Sequence, residues 1–289
     1  MHVIVQVLII AALAPLLQGG MKLLRARLQG RPGPSPMQPY RDLAKLWGKE
    51  ALLPEGVSIV TIAAPGVALG VALTFAAALP LVAHRIPIVD IIALAFLLGL
   101  GRFALVLAAL DTRSAFAGMA ASRDMTFASL VEPTLLIALL GGAVIGGGTQ
   151  FTSLSTVVFG PASILAFAAF FLVMLLETAR VPFDNQETHY ELTMMHEGLT
   201  LEYSGWQLAL VNYAGYIRQL SFFVIGAIVL LPGLNLAATI GGIVALAVAI
   251  TLVETAFAKV RLFEVPQVLT TAFILAAVSV GLRLFGGIA

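Results

Sequence analysis

The chain contains no cysteine. It therefore holds no iron–sulfur cluster, thiolate metal site, disulfide or cysteine nucleophile of its own, and any redox centre it works with belongs to a partner. Charge is scarce as well, with 16 Lys and Arg and 15 Asp and Glu among 289 residues. So few charges leave too little polar surface to cover a soluble globule of this length. With 60% hydrophobic residues and a mean hydropathy of +1.02, the composition is that of an integral membrane protein. Histidine is limited to four residues. None forms the transmembrane pair that a haem needs, and His189 and His196 read as polar residues on a hydrated loop rather than as metal ligands. Gly141-Gly142 and Gly146 to Gly148 lack a following Lys-Ser, so they are close-packing and turn positions and not a phosphate loop.

Long apolar runs are what the chain has in abundance. Several approach the roughly 20 residues that a helix needs to cross about 30 Å of hydrocarbon. They lie at about 2–21, 57–80, 88–110, 128–148, 158–177, 208–231, 236–257 and 267–286. These runs predict an all-α polytopic bundle of about eight transmembrane helices with cytoplasmic interfacial helices, a single integral membrane domain over 1–289. The first run reads as a span and not a secretory signal, because its basic residues (Lys22, Arg25, Arg27) follow it.

Lys and Arg are unevenly shared between the connections. Lys22, Arg25, Arg27, Arg31, Arg41, Lys45 and Lys49 lie between the first two spans, Arg113 and Arg123 between the third and fourth, Arg180 and Arg218 beside the fifth connection, and Lys259 and Arg261 in the seventh. By the positive-inside rule these loops are cytoplasmic and both termini are outside. Arg102 falls inside a span, where it either neutralises a carboxylate in the bundle interior or makes helix–helix hydrogen bonds.

Two of these connections carry most of the remaining information. The basic, Pro-rich loop (about 22–56) starts with an irregular stretch enforced by Pro32, Pro34, Pro36 and Pro39. It continues with Tyr40, Leu43, Ala44, Trp47 and Ala51 at helical spacing, Asp42, Lys45 and Lys49 opposite, which predicts an amphipathic interfacial helix. The acidic loop (about 178–207), with Glu177 at its edge, gathers Glu177, Asp184, Glu187, Glu191, Glu197 and Glu202 out of only 15 acidic residues. Carboxylates this close raise one another's pKa and tend to share protons. Pro182 predicts that the fifth span stops before it, and Asp184 with Glu187 has capping-box spacing for a new helix. Asp184, Glu187 and Glu191 also share one helical face, which costs stability unless cations or shared protons offset it.

Glu177, Thr178, Arg180, Pro182, Phe183, Asp184, Glu187, Glu191 and Leu192 occupy the places of the pattern E-T-x-R-x-P-F-D-x-x-E-x-x-x-E-L. It resembles the long loop of the membrane subunit shared by respiratory complex I and the energy-converting nickel–iron hydrogenases, including formate hydrogenlyase. The first loop is similar to the same subunit's R-x-G-P…Q-P-x-x-D-x-x-K-L-x-x-K-E through Arg31, Gly33, Pro34, Gln38, Pro39, Asp42, Lys45, Leu46, Lys49 and Glu50. Arg123 with Glu132 nine residues on has a counterpart there as well. The complex I pattern is about three residues shorter between Glu191 and Glu202, and Ala214-Gly215-Tyr216 stands where it carries a carboxylate. The resemblance is therefore to the hydrogenase branch.

The resemblance implies an adaptor subunit that docks a peripheral redox arm and offers a carboxylate proton path. The relay or coupling residues it implies are Glu132, Glu177, Asp184, Glu187, Glu191 and Glu202. The charge partners and docking residues are Arg27, Arg31, Asp42, Lys45, Arg123 and Arg180. No cofactor is expected on this chain; the nickel–iron centre and iron–sulfur clusters belong to partner subunits. Those partners are the peripheral hydrogenase large and small subunits and cluster-carrying proteins, with antiporter-like membrane subunits and the lipid bilayer, and no nucleic acid. A quinone-chamber subunit of complex I type, with quinone as ligand, is the alternative within the class. A free-standing ion transporter would show internal repeats, and a passive anchor has no need of the acidic cluster. A reporter fused after Lys49 is expected to be cytoplasmic and one near Pro232 to Asn235 external; an external reporter after Lys49 would overturn the orientation.

Overall fold

The computed structural model describes residues 2–79, 81, 90–143, 148–150, 160–184, 195–230 and 236–286. Its elements are α1 (His2–Leu28), α2 (Gln38–Trp47), α3 (Ile59–Ala78), α4 (Ile91–Asp111), α5 (Ala115–Ala143), α6 (Pro161–Glu177), α7 (Gly205–Leu230), α8 (Leu236–Ala256) and α9 (Val265–Gly286), with short 3-10 turns at Glu197–Thr200 and Leu262–Glu264. Seven of these helices are long and apolar enough to cross a membrane, and α6, an apolar helix of 17 residues, is shorter. The architecture is an all-α polytopic membrane bundle, and each predicted span corresponds to a helix.

Charges assigned to connections lie inside helices instead: Lys22, Arg25 and Arg27 are on the last turns of α1, and two more are within later spans. α5 begins at Ala115 rather than near 128, which places Arg123 within it, and Arg218 lies well inside α7. Ala115, Ala117, Ala120 and Ala121 are strong helix formers, so nothing breaks the chain between them and the apolar run that follows.

Helix α7 is the axis of the bundle, packed against α1, α2, α3, α6 and α8. Its Phe222 meets Phe75 of α3 edge-on at 5.2 Å and Phe170 of α6 at 6.3 Å. All three rings are fully buried. Asp111 at the end of α4 accepts hydrogen bonds from Ser58 N (2.7 Å), Ser58 Oγ (2.9 Å) and Thr61 Oγ1 (2.6 Å), fixing the start of α3. At the other end of α3, Gln6 of α1 donates to the carbonyls of Ala76 (2.8 Å) and Leu79 (2.6 Å).

Proline interrupts three of the helices, Pro15 in α1, Pro65 in α3 and Pro133 in α5. Each lacks the N–H that the carbonyl four residues earlier requires. In α1 the orphan is Ala11, and Tyr213 donates to it at 3.0 Å. In α3 it is Thr61, and Tyr203 donates at 2.8 Å. Tyrosines of the α7 region thus repair two helices that proline has opened, and Tyr40 of α2 adds a third hydroxyl on the neighbouring Ala12 carbonyl.

Helix α2 confirms the amphipathic reading from Tyr40 to Trp47, but it ends at Trp47 with Gly48 as its cap, so Lys49 and Ala51 lie beyond it. Tyr40, Leu43, Ala44 and Trp47 line an apolar groove of about 270 Å³ with Ala11, Ala12 and Pro15 of α1 and Ala209 and Tyr213 of α7, while Asp42 and Lys45 face outwards. The two loops noted from sequence are joined. Ser204 Oγ accepts from Leu52 N at 2.7 Å and donates to Leu52 O at 2.9 Å. Beside it Gly205, at φ +53°, leaves no room for a Cβ against the Glu50 backbone.

Tyr203→Phe is expected to lower stability in mixed micelles by about 1–3 kcal/mol, because it strands a buried carbonyl. Adding Pro65→Ala, which returns an N–H to Thr61, is expected to recover part of that loss. No change in the denaturant midpoint on Tyr203→Phe would contradict the capping role.

Candidate functional site: an ionic cavity at the looped end of the bundle

The end of α6 builds the site. Ala179 N donates to Leu176 O (2.9 Å) and Arg180 N to Leu175 O (2.8 Å), with Ala179 in the left-handed region at φ +51°. This is a Schellman stop, and because alanine occupies the left-handed position where glycine is usual, it costs about 1–2 kcal/mol. The turn lets Glu177 point inwards from the last helical position and Arg180 point inwards from just beyond it. Both are buried.

Glu177 closes a buried pair with Arg102 of α4. The same guanidinium lies 3.6 Å from Asp124 and 3.5 Å from Glu132, both on α5. Arg102 is 6% exposed. A cation so deep in an apolar helix is tolerable only with compensating charge, and three carboxylates surround it. Asp124 continues the network, for His196 Nε2 is 3.8 Å from its carboxylate and His196 Nδ1 is 3.4 Å from Asp184. Asp184 also accepts from His196 N at 3.1 Å and from Lys259 Nζ at 3.0 Å. Burial acts to raise the Asp184 carboxyl, but the His196 hydrogen bond and the His196 and Lys259 charges outweigh it and hold the group well below the usual carboxylate range.

Arg180 organises a second network. Its guanidinium donates to Glu254 Oε1 of α8 (3.0 Å), Gln219 Oε1 of α7 (2.8 Å) and Gln18 Oε1 of α1, and Arg25 lies 3.7 Å from the same Glu254 carboxylate. The two networks face one cavity of about 260 Å³, into which Arg218 also projects. Arg218 makes no ion pair with another described residue. Asp124 Oδ2, Arg180 Nε and His196 Nε2 are buried with no hydrogen-bond partner among the described residues. A polar cavity of about 260 Å³ has room for water, the usual partner of such groups.

The structure gathers some of the sequence-derived residues and separates others. Glu132, Glu177 and Asp184 belong to the first network and Arg180 to the second. Arg123 lies on α5 with its guanidinium 3.9 Å from Met119 Sδ, and it is the next residue, Asp124, that turns inwards. Glu202 is half-buried and outside both networks. Arg27, Arg31, Asp42 and Lys45 are exposed, and Arg31 borders an open basic pocket with Lys22 and Arg25. Glu187 and Glu191 lie outside the described residues, as does the helix expected after Asp184.

Sequence reasoning missed Asp124, Lys259 and the cavity role of Arg218, and it treated His196 as a loop residue. Asp124 did have a signal. It interrupts the face Ala117, Ala120, Ala121, Ala128 and Val131, which follows the spacing of a buried helical stripe. His196 and Lys259 had none, since their partners are distant in sequence.

Known proteins share this arrangement of helices. In the solved structure of the membrane-bound sulfane sulfur reductase, an archaeal respiratory membrane complex, one chain superposes with a TM-score of 0.83 at 18% identity, covering 97% of this chain and 99% of that one. In sequence, the chain is 34% identical over 275 residues to formate hydrogenlyase subunit 4 of Escherichia coli, covering 91% of this chain and 89% of the relative. Hydrogenase-4 component C of the same organism is 37% identical over 222 residues, 74% of this chain and 70% of the relative. An NADH-quinone oxidoreductase subunit of Thermomicrobium roseum is 27% identical over 243 residues, 73% and 70% of the two chains. The family model described as NADH dehydrogenase matches residues 1–283, and the chain belongs to that family.

Proposed function

We propose that this chain is the membrane adaptor of a hydrogenase complex of the formate hydrogenlyase kind, docking a peripheral redox arm and carrying protons through the cavity beneath it. The observation that supports this most strongly is the cavity itself. It holds Arg102, Asp124, His196 and Asp184 in contact at the end of the bundle where the basic and acidic loops are stitched together. Charged walls suit water and protons better than the apolar tail of a quinone, so the hydrogenase reading is preferred to the quinone-chamber one.

In this account the looped end is cytoplasmic and the membrane is a prokaryotic plasma membrane. Arg27, Arg31, Asp42 and Lys45 present exposed charge to the peripheral large and small subunits, which supply the nickel–iron centre and the clusters. Antiporter-like subunits lie beside the chain in the membrane. Glu177 and Asp124 take or release protons as the charge around Arg102 changes, and Glu132 carries them towards the membrane interior. Asp184 remains ionised and acts as an electrostatic anchor. His196 lies next to it, with its ring nitrogens facing one carboxylate on each side. Glu187, Glu191 and Glu202 extend the acidic loop towards the docked arm.

The test is purification of the native complex through this chain, with nickel content and hydrogen turnover measured alongside quinone reduction. Nickel in stoichiometric amount with hydrogen-linked turnover is expected; a nickel-free complex that reduces quinone would replace this reading with the quinone-chamber one. Within the nickel-loaded complex, Glu177→Gln is expected to leave assembly intact and lower hydrogen-linked proton movement on the order of a hundredfold. Unchanged coupling in that variant would remove Glu177 from the path.

A further inference from the structure

The charges around the ionic cavity do not all satisfy one another. Each carboxylate of the two networks is taken: Glu177 and Glu132 by Arg102, Asp124 by Arg102 and His196, Asp184 by His196 and Lys259, and Glu254 by Arg180 and Arg25. Two cations on the cavity wall are left over. Arg218 and Lys22 line the same space, and neither side chain makes a hydrogen bond or an ion pair with a described residue. Arg218 is 13 residues beyond the first of α7, about 20 Å along a helix. Its charge therefore lies deep in the bundle, where a cation with no anion in contact is strongly disfavoured. Water satisfies hydrogen bonds there but brings no charge.

A second set of unmet needs points the same way. Arg180 is 5% exposed and engages Glu254, Gln18 and Gln219 through its two terminal nitrogens, which leaves Nε buried with no partner among the described residues. That N–H is a donor only. The orphaned acceptor on the cavity wall, Asp124 Oδ2, is 3.6 Å from the Arg102 guanidinium and so adds no uncompensated negative charge. The approach from the surface is basic as well. Lys22, Arg25 and Glu254 line both this cavity and the open pocket that Arg31 borders, so three cations against one carboxylate flank the passage. Clefts dominated by one sign of charge concentrate the opposite ion.

We infer that the cavity binds one small oxyanion, of the monocarboxylate or bicarbonate class, which enters past Lys22 and Arg25, pairs with the Arg218 guanidinium and accepts from Arg180 Nε. A planar carboxylate matches the guanidinium fork, which is why arginine and not lysine suits the deep position. The volume of about 260 Å³ takes an anion of a few heavy atoms together with water. The site goes beyond the proton path proposed above and holds for whichever complex the chain serves.

Because the chain has no cysteine, a single introduced thiol tests it. In the purified complex, Asn212→Cys on the cavity wall is treated with an anionic (2-sulfonatoethyl) and a cationic (2-trimethylammonioethyl) methanethiosulfonate. Labelling of this chain is read by mass spectrometry and normalised to the rates of both reagents with 2-mercaptoethanol. The anionic reagent is expected to react on the order of tenfold faster, and acetate is expected to slow it saturably at an ionic strength held constant with gluconate. Arg218→Gln in the assembled complex is expected to abolish both effects; where that variant does not assemble, the charge preference and the acetate protection decide alone. Equal rates or faster cationic labelling would overturn the inference. So would acetate acting no more strongly than gluconate, survival of both effects in Arg218→Gln, or a thiol that neither reagent reaches. Nickel content and hydrogen turnover are read separately, so the hydrogenase reading stands or falls on its own test.

Discussion

A guanidinium buried in the middle of an apolar helix is the constraint around which this end of the molecule is arranged. Arg102 is buried within α4 and keeps its proton, so its charge is met by protein. Glu177 meets it most closely, and Asp124 and Glu132 complete the set at 3.6 and 3.5 Å. Those three carboxylates come from α5 and α6, so neutralising one residue fixes the relative register of three helices. It also explains why α6 ends in a strained left-handed alanine, since that turn brings Glu177 and Arg180 inwards within four residues.

The rest of the site follows from what lies beyond the turn. Arg180 ties α6 to α1, α7 and α8 through Gln18, Gln219 and Glu254. Asp184 draws in His196 and Lys259, which joins the described ends of the acidic loop to each other and to the segment after α8 beside the cavity. The Leu52 to Ser204 pair then binds the basic loop to the acidic one. The looped surface and the carboxylates inside the bundle are therefore connected by a short series of contacts, every one of them ionic or hydrogen-bonded.

Much of this was legible in the sequence, for physical reasons that differ by element. The spans were visible because lipid demands long apolar runs, and α2 because an interfacial helix must sort its residues onto two faces. The start of α5 was obscured by Arg123 and Asp124, which depress local hydropathy although Asp124 is buried as the partner of Arg102. The resemblance directed attention to Arg123, whereas the structure turns Asp124 inwards. Arg102 itself was left between two interpretations, and its contact with Glu177 decides for charge neutralisation. His196 and Lys259 were illegible because Asp184 recruits them from 12 and 75 residues away, and no local pattern records such a pairing.

The central claim is that Arg102 and Glu177 act as one unit whose charges are meaningful only together. The most direct measurement is a double-substitution cycle on stability in mixed micelles, comparing Arg102→Leu, Glu177→Leu and the two combined. Each single change strands a buried charge and is predicted to cost about 3–5 kcal/mol, with the combined variant recovering a large part of that loss. Additive losses, agreeing within about 0.5 kcal/mol, would show that the two side chains are independent and would contradict the account.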